Sequence, residues 1–149
     1  MNHPNYYYRK FKKRDLKYFD LLEEKQLVID TADRLVELAD SDNDHEFCGA
    51  VFWKNRPLYI GGYYELRDGV MKMFIIPDRN ILEFPIAFHK SIIWWHRHIV
   101  TLSWVRSIYS MCLPIERIDK WMSSLGYVYG TTIPSYINGQ DYKLWAKVG

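Results

Sequence analysis

Hydrophobic and polar positions follow two different periods along this chain, and the changes of period mark its elements. Apolar residues recur at helical spacing in residues 12–24 and again in residues 30–40, where Asp30 or Thr31 is the candidate N-cap. The sequence therefore predicts two helices in the first third of the chain. Residues 1–11 show neither a helical nor a strand pattern, and we expect them to form an irregular arm.

The middle of the chain is rich in β-branched and aromatic residues. Three runs, residues 47–53, 58–66 and 70–76, are typical of strands, and residues 67–69 (Arg-Asp-Gly) form a hairpin turn signal between the last two. The pair Gly61–Gly62 interrupts the second run and indicates a bulge or a close backbone approach. We expect an antiparallel meander of three strands.

Helical spacing returns after the meander. Pro85 suits a first helical position, and an apolar stripe continues from it to Ile99. Residues 100–108 are predicted to form a strand, and Pro114 opens a short amphipathic helix. Gly126 stands where a left-handed cap would end that helix.

The chain closes with a predicted hairpin of residues 127–129 and 141–148, whose connection contains the turn residues 138–139 (Asn-Gly). A strand–helix–strand unit in the middle of this order requires one parallel pair of strands. The predicted fold class is therefore α+β with a mixed sheet, in the order α-α-β-β-β-α-β-α-β-β. One domain covers residues 12–149 and follows the arm of residues 1–11.

Charge and composition narrow the function classes. A net charge of +2 over 149 residues argues against a polycation for nucleic acid as a whole. The charge is uneven, however, because residues 9–17 carry six basic residues against Asp15, and residues 30–46 carry seven acids against Arg34. A solvated basic arm beside an acidic helix face would also explain this distribution.

The sequence also carries expectations about the compartment. Cys48 and Cys112 lie far apart in apolar runs and form neither a disulfide framework nor a metal-type pair, which fits a reducing environment. The amino terminus has no signal-peptide pattern, and no apolar stretch is long enough to span a bilayer. We expect a soluble protein of the cytoplasm without a membrane partner.

The short helix that ends in Leu125-Gly126-Tyr127 and runs into the last two strands resembles the Gcn5-related N-acetyltransferase (GNAT) fold over most of residues 12–149. The region from Phe74 to Val128 is similar to degenerate GNAT-like proteins of short-tailed phages, a family that includes small internal virion proteins. The resemblance implies a phage protein in the infected cell or in the virion. It also implies an acetyl-CoA-dependent N-acetyltransferase as an alternative.

Active GNAT proteins cradle the pyrophosphate of acetyl-CoA in a glycine-rich loop after the central strand. The matching segment here, residues 76–85, contains no glycine, has prolines at both ends and carries Asp78 and Glu83, whose charge repels a polyanion. An atypical phosphate loop would have to use this segment. Its candidate cofactor-binding residues are Ile76, Asp78, Arg79, Asn80, Ile81 and Leu82.

The GNAT general acid is a tyrosine four residues before the glycine of the Leu-Gly motif. Met122 stands there and cannot donate a proton. Tyr109 or Tyr127 could serve as the general acid if the fold brings its hydroxyl to the same place. Glu65 is a candidate general base. The first hypothesis is therefore a non-catalytic GNAT-like protein that acts through protein contacts, with no cofactor, and acetyl-CoA belongs to the enzyme alternative.

A third hypothesis concerns residues 6–14, where aromatic residues are interleaved with cations. This composition suits single-stranded nucleic acid, and it also suits an acidic protein surface. The adjacent tryptophans of the long helix cannot both face one small core, so an oligomer or partner contact is an option. The candidate interaction residues are Tyr7, Arg9, Lys10, Lys12, Lys13, Arg14, Trp94 and Trp95.

Three histidines, His89, His96 and His98, lie on the long helix or at its end. Positions 96 and 98 point about 200° apart on a helix, and no Cys, Asp or Glu completes a ligand set at the required spacing. We therefore expect histidines at a helix surface and no metal site.

Overall fold

The computed structural model of the protein describes residues 5–20, 37–38, 40–112, 114, 116–137 and 139–148. The strands in this part of the chain are β1 (Tyr6–Lys10), β2 (Glu46–Trp53), β3 (Arg56–Arg67), β4 (Val70–Pro77), β5 (Ser107–Cys112), β6 (Val128–Ile137) and β7 (Gln140–Val148). The α-helices are α1 (Pro85–Ile99) and α2 (Glu116–Ser124), and two 3-10 helices span Lys13–Tyr18 and Arg79–Leu82.

All seven described strands form one mixed sheet in the order β1-β2-β3-β4-β5-β7-β6. Strands β2, β3 and β4 form the predicted antiparallel meander. Strands β4 and β5 are the parallel pair that the strand–helix–strand unit required, with α1 in their connection. The mixed α+β class is therefore confirmed.

The parallel pair is short, and this creates the main irregularity of the sheet. Only Val70, Met71 and Lys72 of β4 pair with β5, against Ser107, Ile108 and Tyr109. Beyond that point β4 pairs with β3 alone, and β5 pairs with β7 alone. The two strands therefore diverge toward their carboxyl ends, where the loop before α1 begins.

Side chains alternate between the two faces of the sheet, so each face has its own core. On one face, Met71, Met73 and Ile75 of β4 pack with residues of α1 and α2. On the other face, Ile76 packs with Phe11, which follows β1, and with other apolar side chains near the first 3-10 helix. Both helices that border the divergence of β4 and β5 thus lie on the same face.

The helix ends follow the predicted signals. Pro85 is the first residue of α1, where its missing N–H costs nothing. After α2 the chain turns at Gly126, whose φ is +89°, and the N–H of Tyr127 donates to the carbonyl of Met122 at 3.1 Å. That turn delivers the chain into β6.

Two strand predictions are wrong. Residues 6–10, expected in an irregular arm, form β1 and pair antiparallel with β2. The strand expected over residues 100–108 is a turn and loop up to Arg106, and β5 occupies Ser107–Cys112 instead. The shift has a tertiary cause, because the N–H groups of Arg106 and Ser107 both donate to the carbonyl of Gly69 and fix where pairing with β4 starts.

The glycine pair in β3 serves a close backbone approach. A Cβ atom on Gly62 would lie 2.0 Å from the carbonyl oxygen of Phe47 on the neighbouring strand, so no side chain fits there. The register shifts of β3 lie elsewhere, opposite the Val51/Phe52 step and at the Glu65/Arg67 step. Of the two predicted options, the close approach is the one observed.

The helix expected over residues 12–24 is wrong over its described part: a 3-10 helix spans only Lys13–Tyr18, and the chain is extended at Phe19. Residues 21–24 of that prediction lie outside the described residues. The helix expected over residues 30–40 also lies largely outside them, with Glu37 and Leu38 helical. Within the described part of the chain, no helix is long and apolar enough to cross a membrane.

Candidate functional site

The loop between β4 and α1 lies where β4 and β5 diverge, and its backbone donors are engaged within the protein. The N–H of Asp78 donates to the Leu58 carbonyl at 2.7 Å, and that of Arg79 donates to the Asp20 carbonyl at 2.8 Å. The N–H of Asn80 donates to the side chain of Asp78 at 2.8 Å. The next paired donors, Ile81, Glu83 and Phe84, bond to carbonyls of the loop itself.

Side chains also hold residues 78–84, which we call the closed loop because their N–H groups bond within the protein. Asp78 is 2% exposed, and its carboxylate accepts from the N–H groups of Asp20 and Asn80 at 2.6 and 2.8 Å. Burial raises the pKa of Asp78, which the two N–H donors partly offset. Across the loop, Arg56 donates to Asn80 at 2.8 Å and to Glu83 at 2.5 Å.

Arg79, the predicted phosphate contact, faces an acid instead. Its Nε donates to the carboxylate of Asp20 at 3.0 Å. Both arginines at this loop, Arg56 and Arg79, are therefore paired with carboxylates. To bind here, a pyrophosphate would have to displace these acids and open the N–H pairs.

Aromatic side chains fill the space between α1 and α2 beside the divergence of the strands. The Trp121 indole stacks on Phe88 with ring centroids 5.6 Å apart, and its Nε1 donates to Nδ1 of His89 at 2.8 Å. A cavity bordered by Met73, Ile75, Trp95 and other residues has a volume of about 10 Å³. That volume holds no more than a water molecule.

Met122, at the position of the GNAT catalytic tyrosine, is 3% exposed and packs in the same apolar cluster as Met73 and Ile108. Its thioether offers no proton. Of the two possible substitutes, Tyr127 lies in this cluster, whereas Tyr109 follows Ile108 by one position on β5 and points to the opposite face. The structure does not bring the two tyrosines together.

Tyr127 forms a buried pair that the sequence did not reveal. Its hydroxyl lies 2.8 Å from Nε2 of His96, while Nδ1 of His96 lies 2.8 Å from the Ile92 carbonyl. Because a carbonyl only accepts, Nδ1 carries the proton and Nε2 accepts from the tyrosine. Burial raises the pKa of Tyr127 and lowers the pKa of His96, so both groups are neutral.

A groove of about 320 Å³ adjoins this pair, between α1 and the end of α2. His96 and Arg97 line one side, and Leu125 and Lys147 line the other. The Lys147 ammonium donates to the Leu125 carbonyl at 2.9 Å and so caps the end of α2.

Glu65, the predicted general base, lies at the far end of β3 from the loop. Its carboxylate lies 3.1 Å from Nδ1 of His45 and accepts from the N–H of Gly69 at 3.3 Å. These contacts lower the pKa of Glu65, with the His45 hydrogen bond first. Tyr59 pairs with Pro77 beside the loop, so Glu65 is six strand residues, roughly 20 Å, away.

The histidines occupy three different environments. His96 is 6% exposed, which corrects the expectation of a surface position, whereas His98 is exposed and stacks on Trp94. His89 accepts from Trp121. Among the described residues, no group of three or more His, Cys, Asp or Glu side chains is arranged to hold a metal ion.

The predicted interaction residues divide between core and surface. Trp95 packs with Phe47, and Trp94 packs on Tyr8, so α1 uses both tryptophans against its own protein. Arg9 is bound to the buried carboxylate of Asp15. The exposed members of the set are Tyr7, Lys10, Lys12, Lys13 and Arg14.

Comparisons with known proteins bear on the fold. No protein-family model and no curated protein matches the sequence. Among solved structures, a chimera of the spermidine N-acetyltransferase SpeG from Vibrio cholerae and hSSAT is similar at a TM-score of 0.72 and 17% identity, covering 97% of this chain and 95% of the other. Ribosomal-protein-S5-alanine acetyltransferase from Vibrio fischeri is similar at 0.61 and 16%, covering 99% and 95%.

A third structure, the ribosomal L7/L12 alpha-N-protein acetyltransferase RimL in complex with coenzyme A, is similar at a TM-score of 0.69 and 10% identity, covering 98% of this chain and 95% of the other. Together these similarities establish the GNAT-type fold. At 10–17% identity these structures show the fold alone, and nothing in the comparisons points to phage or virion proteins.

Proposed function

We propose that this chain uses the GNAT-type fold as a scaffold for protein contacts and transfers no acetyl group. The observation that carries the proposal is the closed loop of residues 78–84, whose N–H groups bond to Leu58, Asp20 and the loop itself. A phosphate cradle needs such donors to be free and aimed at the ligand. Here each would first have to break a hydrogen bond that contributes about 1 kcal/mol.

Exposed apolar side chains support the protein-contact part of the proposal. Leu82 in the closed loop is 60% exposed, and Ile86 at the start of α1 is 70% exposed. On the edge strand β6, Val128 is 70% and Tyr129 is 47% exposed. Apolar residues at a loop and at a sheet edge are common contact points for other chains.

The deciding experiment is isothermal titration of the purified protein with acetyl-CoA and with free CoA at moderate salt. We expect no binding at about millimolar ligand, which corresponds to less than about 4 kcal/mol of binding free energy. The variant Asp20→Ala releases Arg79 from its carboxylate and is the matched comparison. Micromolar binding by the unchanged chain would refute the proposal.

The second candidate is an acetyl-CoA-dependent N-acetyltransferase, and the activities of the structural neighbours favour it. It requires the loop to open and Arg79 to leave Asp20. In that case the same titration gives micromolar binding, and Arg79→Ala weakens it about tenfold or more, as loss of a charge-assisted phosphate contact would.

Association with a phage particle is the remaining part of the first hypothesis, and it rests on the resemblance of residues 74–128 alone. Stoichiometric amounts of this chain in purified particles, measured by mass spectrometry, would support it. Its absence from particles would leave an accessory role in the cell.

A further inference from the structure

Five cations lie within eight residues, Lys10 as the last residue of β1 and the other four in residues 12–17 that follow it. Lys10, Lys12, Lys13, Arg14 and Lys17 are all exposed. None of the five forms a salt bridge with another described residue, although such bridges occur elsewhere in the described chain. We call these five residues and Tyr18 the basic ridge.

The fold removes the single acid of this segment from the surface. Asp15 is 1% exposed, and its carboxylate accepts from the Arg9 guanidinium and, at 2.8 Å, from the N–H of Lys12. Arg9 in turn lies over the Phe52 ring, 5.0 Å from its centroid. The pair anchors the 3-10 helix, and the charged side chains of residues 10–17 that stay exposed are all positive.

An aromatic ring accompanies the cations. Tyr18 is 54% exposed, and the Lys17 ammonium lies 5.0 Å from the centroid of its ring. Tyr6 and Tyr8 are not available for the same use, because their hydroxyls bond to Ala87 and Ser91 of α1. Tyr7 is equally exposed, but it lies on β1 with its ring 6.0 Å from that of Phe52, whereas Tyr18 lies in the 3-10 helix together with Lys13, Arg14 and Lys17. We therefore assign Tyr18 to the ridge, a residue that the sequence pattern of residues 6–14 had not included.

We infer that the basic ridge binds single-stranded nucleic acid. Cations neutralise successive phosphates, and an exposed ring stacks on a base, which is the combination that single-strand binding uses. The six-residue 3-10 helix Lys13–Tyr18 is too short to enter a duplex groove as a recognition helix does. The inference is independent of the scaffold proposal, since no ridge residue belongs to the closed loop.

The test is the anisotropy of a labelled oligothymidylate of about 20 nucleotides, titrated with the full chain between about 50 and 200 mM salt. With five phosphate contacts, the logarithm of the binding constant should fall against the logarithm of salt with a slope of about −3.5. Tyr18→Ala should weaken binding on the order of tenfold, through loss of base stacking.

Two variants with the same charge separate the ridge from net charge. One replaces Lys10, Lys12, Lys13, Arg14 and Lys17 by Gln, and the other replaces the exposed Arg67, Lys90, Arg97, Arg106 and Lys120 by Gln. Both bring the formal net charge from +2 to −3, since each removes five charges. We expect the ridge variant to lose binding and the control variant to keep it within about threefold.

Three results would overturn the inference. They are equal losses in the two variants, no binding at low salt, or complete displacement of the oligothymidylate by polyglutamate. The last would identify the ridge as a contact for acidic protein. Circular dichroism of each variant shows that a loss of binding does not reflect unfolding.

Discussion

At the scale of single residues, the stability of the Tyr127–His96 pair depends on the protonation state of His96. The neutral imidazole accepts from the tyrosine, and burial lowers the pKa of His96 from its ordinary value of 6.5. In the unfolded chain His96 takes up a proton as the pH falls through about 6.5, while the folded protein resists it. The unfolded state then binds more protons, so the free energy of unfolding should decrease below about pH 6.5.

We predict that Tyr127→Phe destabilises the protein by about 1–3 kcal/mol, because Nε2 of His96 then lies buried without a donor. Tyr129→Phe is the control, since the Tyr129 hydroxyl bonds to Thr132 at the surface and should cost less than about 0.5 kcal/mol. Urea denaturation measures both. A nitrogen-detected NMR titration that found His96 protonated above pH 6.5 would contradict the pair as described.

The residues of the candidate site were only partly predictable. Met122 and the absence of glycine in residues 76–85 are visible in the sequence, and the structure places Met122 in the apolar core. The partners that close the loop, Asp20 and Arg56, are 59 and 24 positions from Arg79 and Asn80. Contacts at such separations leave no local pattern, and neither does the burial of His96.

At the scale of elements, the sequence pattern was reliable for the elements that pack in the centre of the fold. Strands β2 to β4 and helix α1 are such elements, and their predicted positions agree with the structure. Strand β5 was misplaced because residues 100–106 have β-branched and aromatic side chains but no strand to pair with. β-propensity says which residues suit a strand, but hydrogen bonding to a neighbouring strand decides where the strand forms.

Strand β1 was missed for a related reason. As an edge strand it pairs on one side only, with β2, and its two faces are both aromatic or basic rather than alternately apolar and polar. Tyr6 and Tyr8 point toward α1, whereas Tyr7 lies near Phe52 on the opposite face. Only the position of α1 shows which of these tyrosines belong to the core.

At the scale of the whole molecule, β1 joins the N-terminal segment to the sheet and to α1 at once. The Tyr6 hydroxyl donates to the Ala87 carbonyl at 2.7 Å, and the Tyr8 hydroxyl lies 3.0 Å from Ser91 Oγ, which also contacts Tyr59 at 2.6 Å. These contacts hold the basic ridge in a fixed place on the body of the protein. An irregular arm would have no such effect on stability.

We therefore predict that the double variant Tyr6→Ala/Tyr8→Ala lowers the free energy of unfolding by about 2–4 kcal/mol, through lost packing and unpaired polar groups on α1. Tyr7→Ala is the matched control, because Tyr7 is 54% exposed and should cost less than about 1 kcal/mol. Thermal and urea denaturation give both values. Equal, small effects of the two changes would mean that residues 6–10 behave as an arm in solution and that the ridge has no fixed position, whereas the predicted difference makes β1 an integral edge of the sheet.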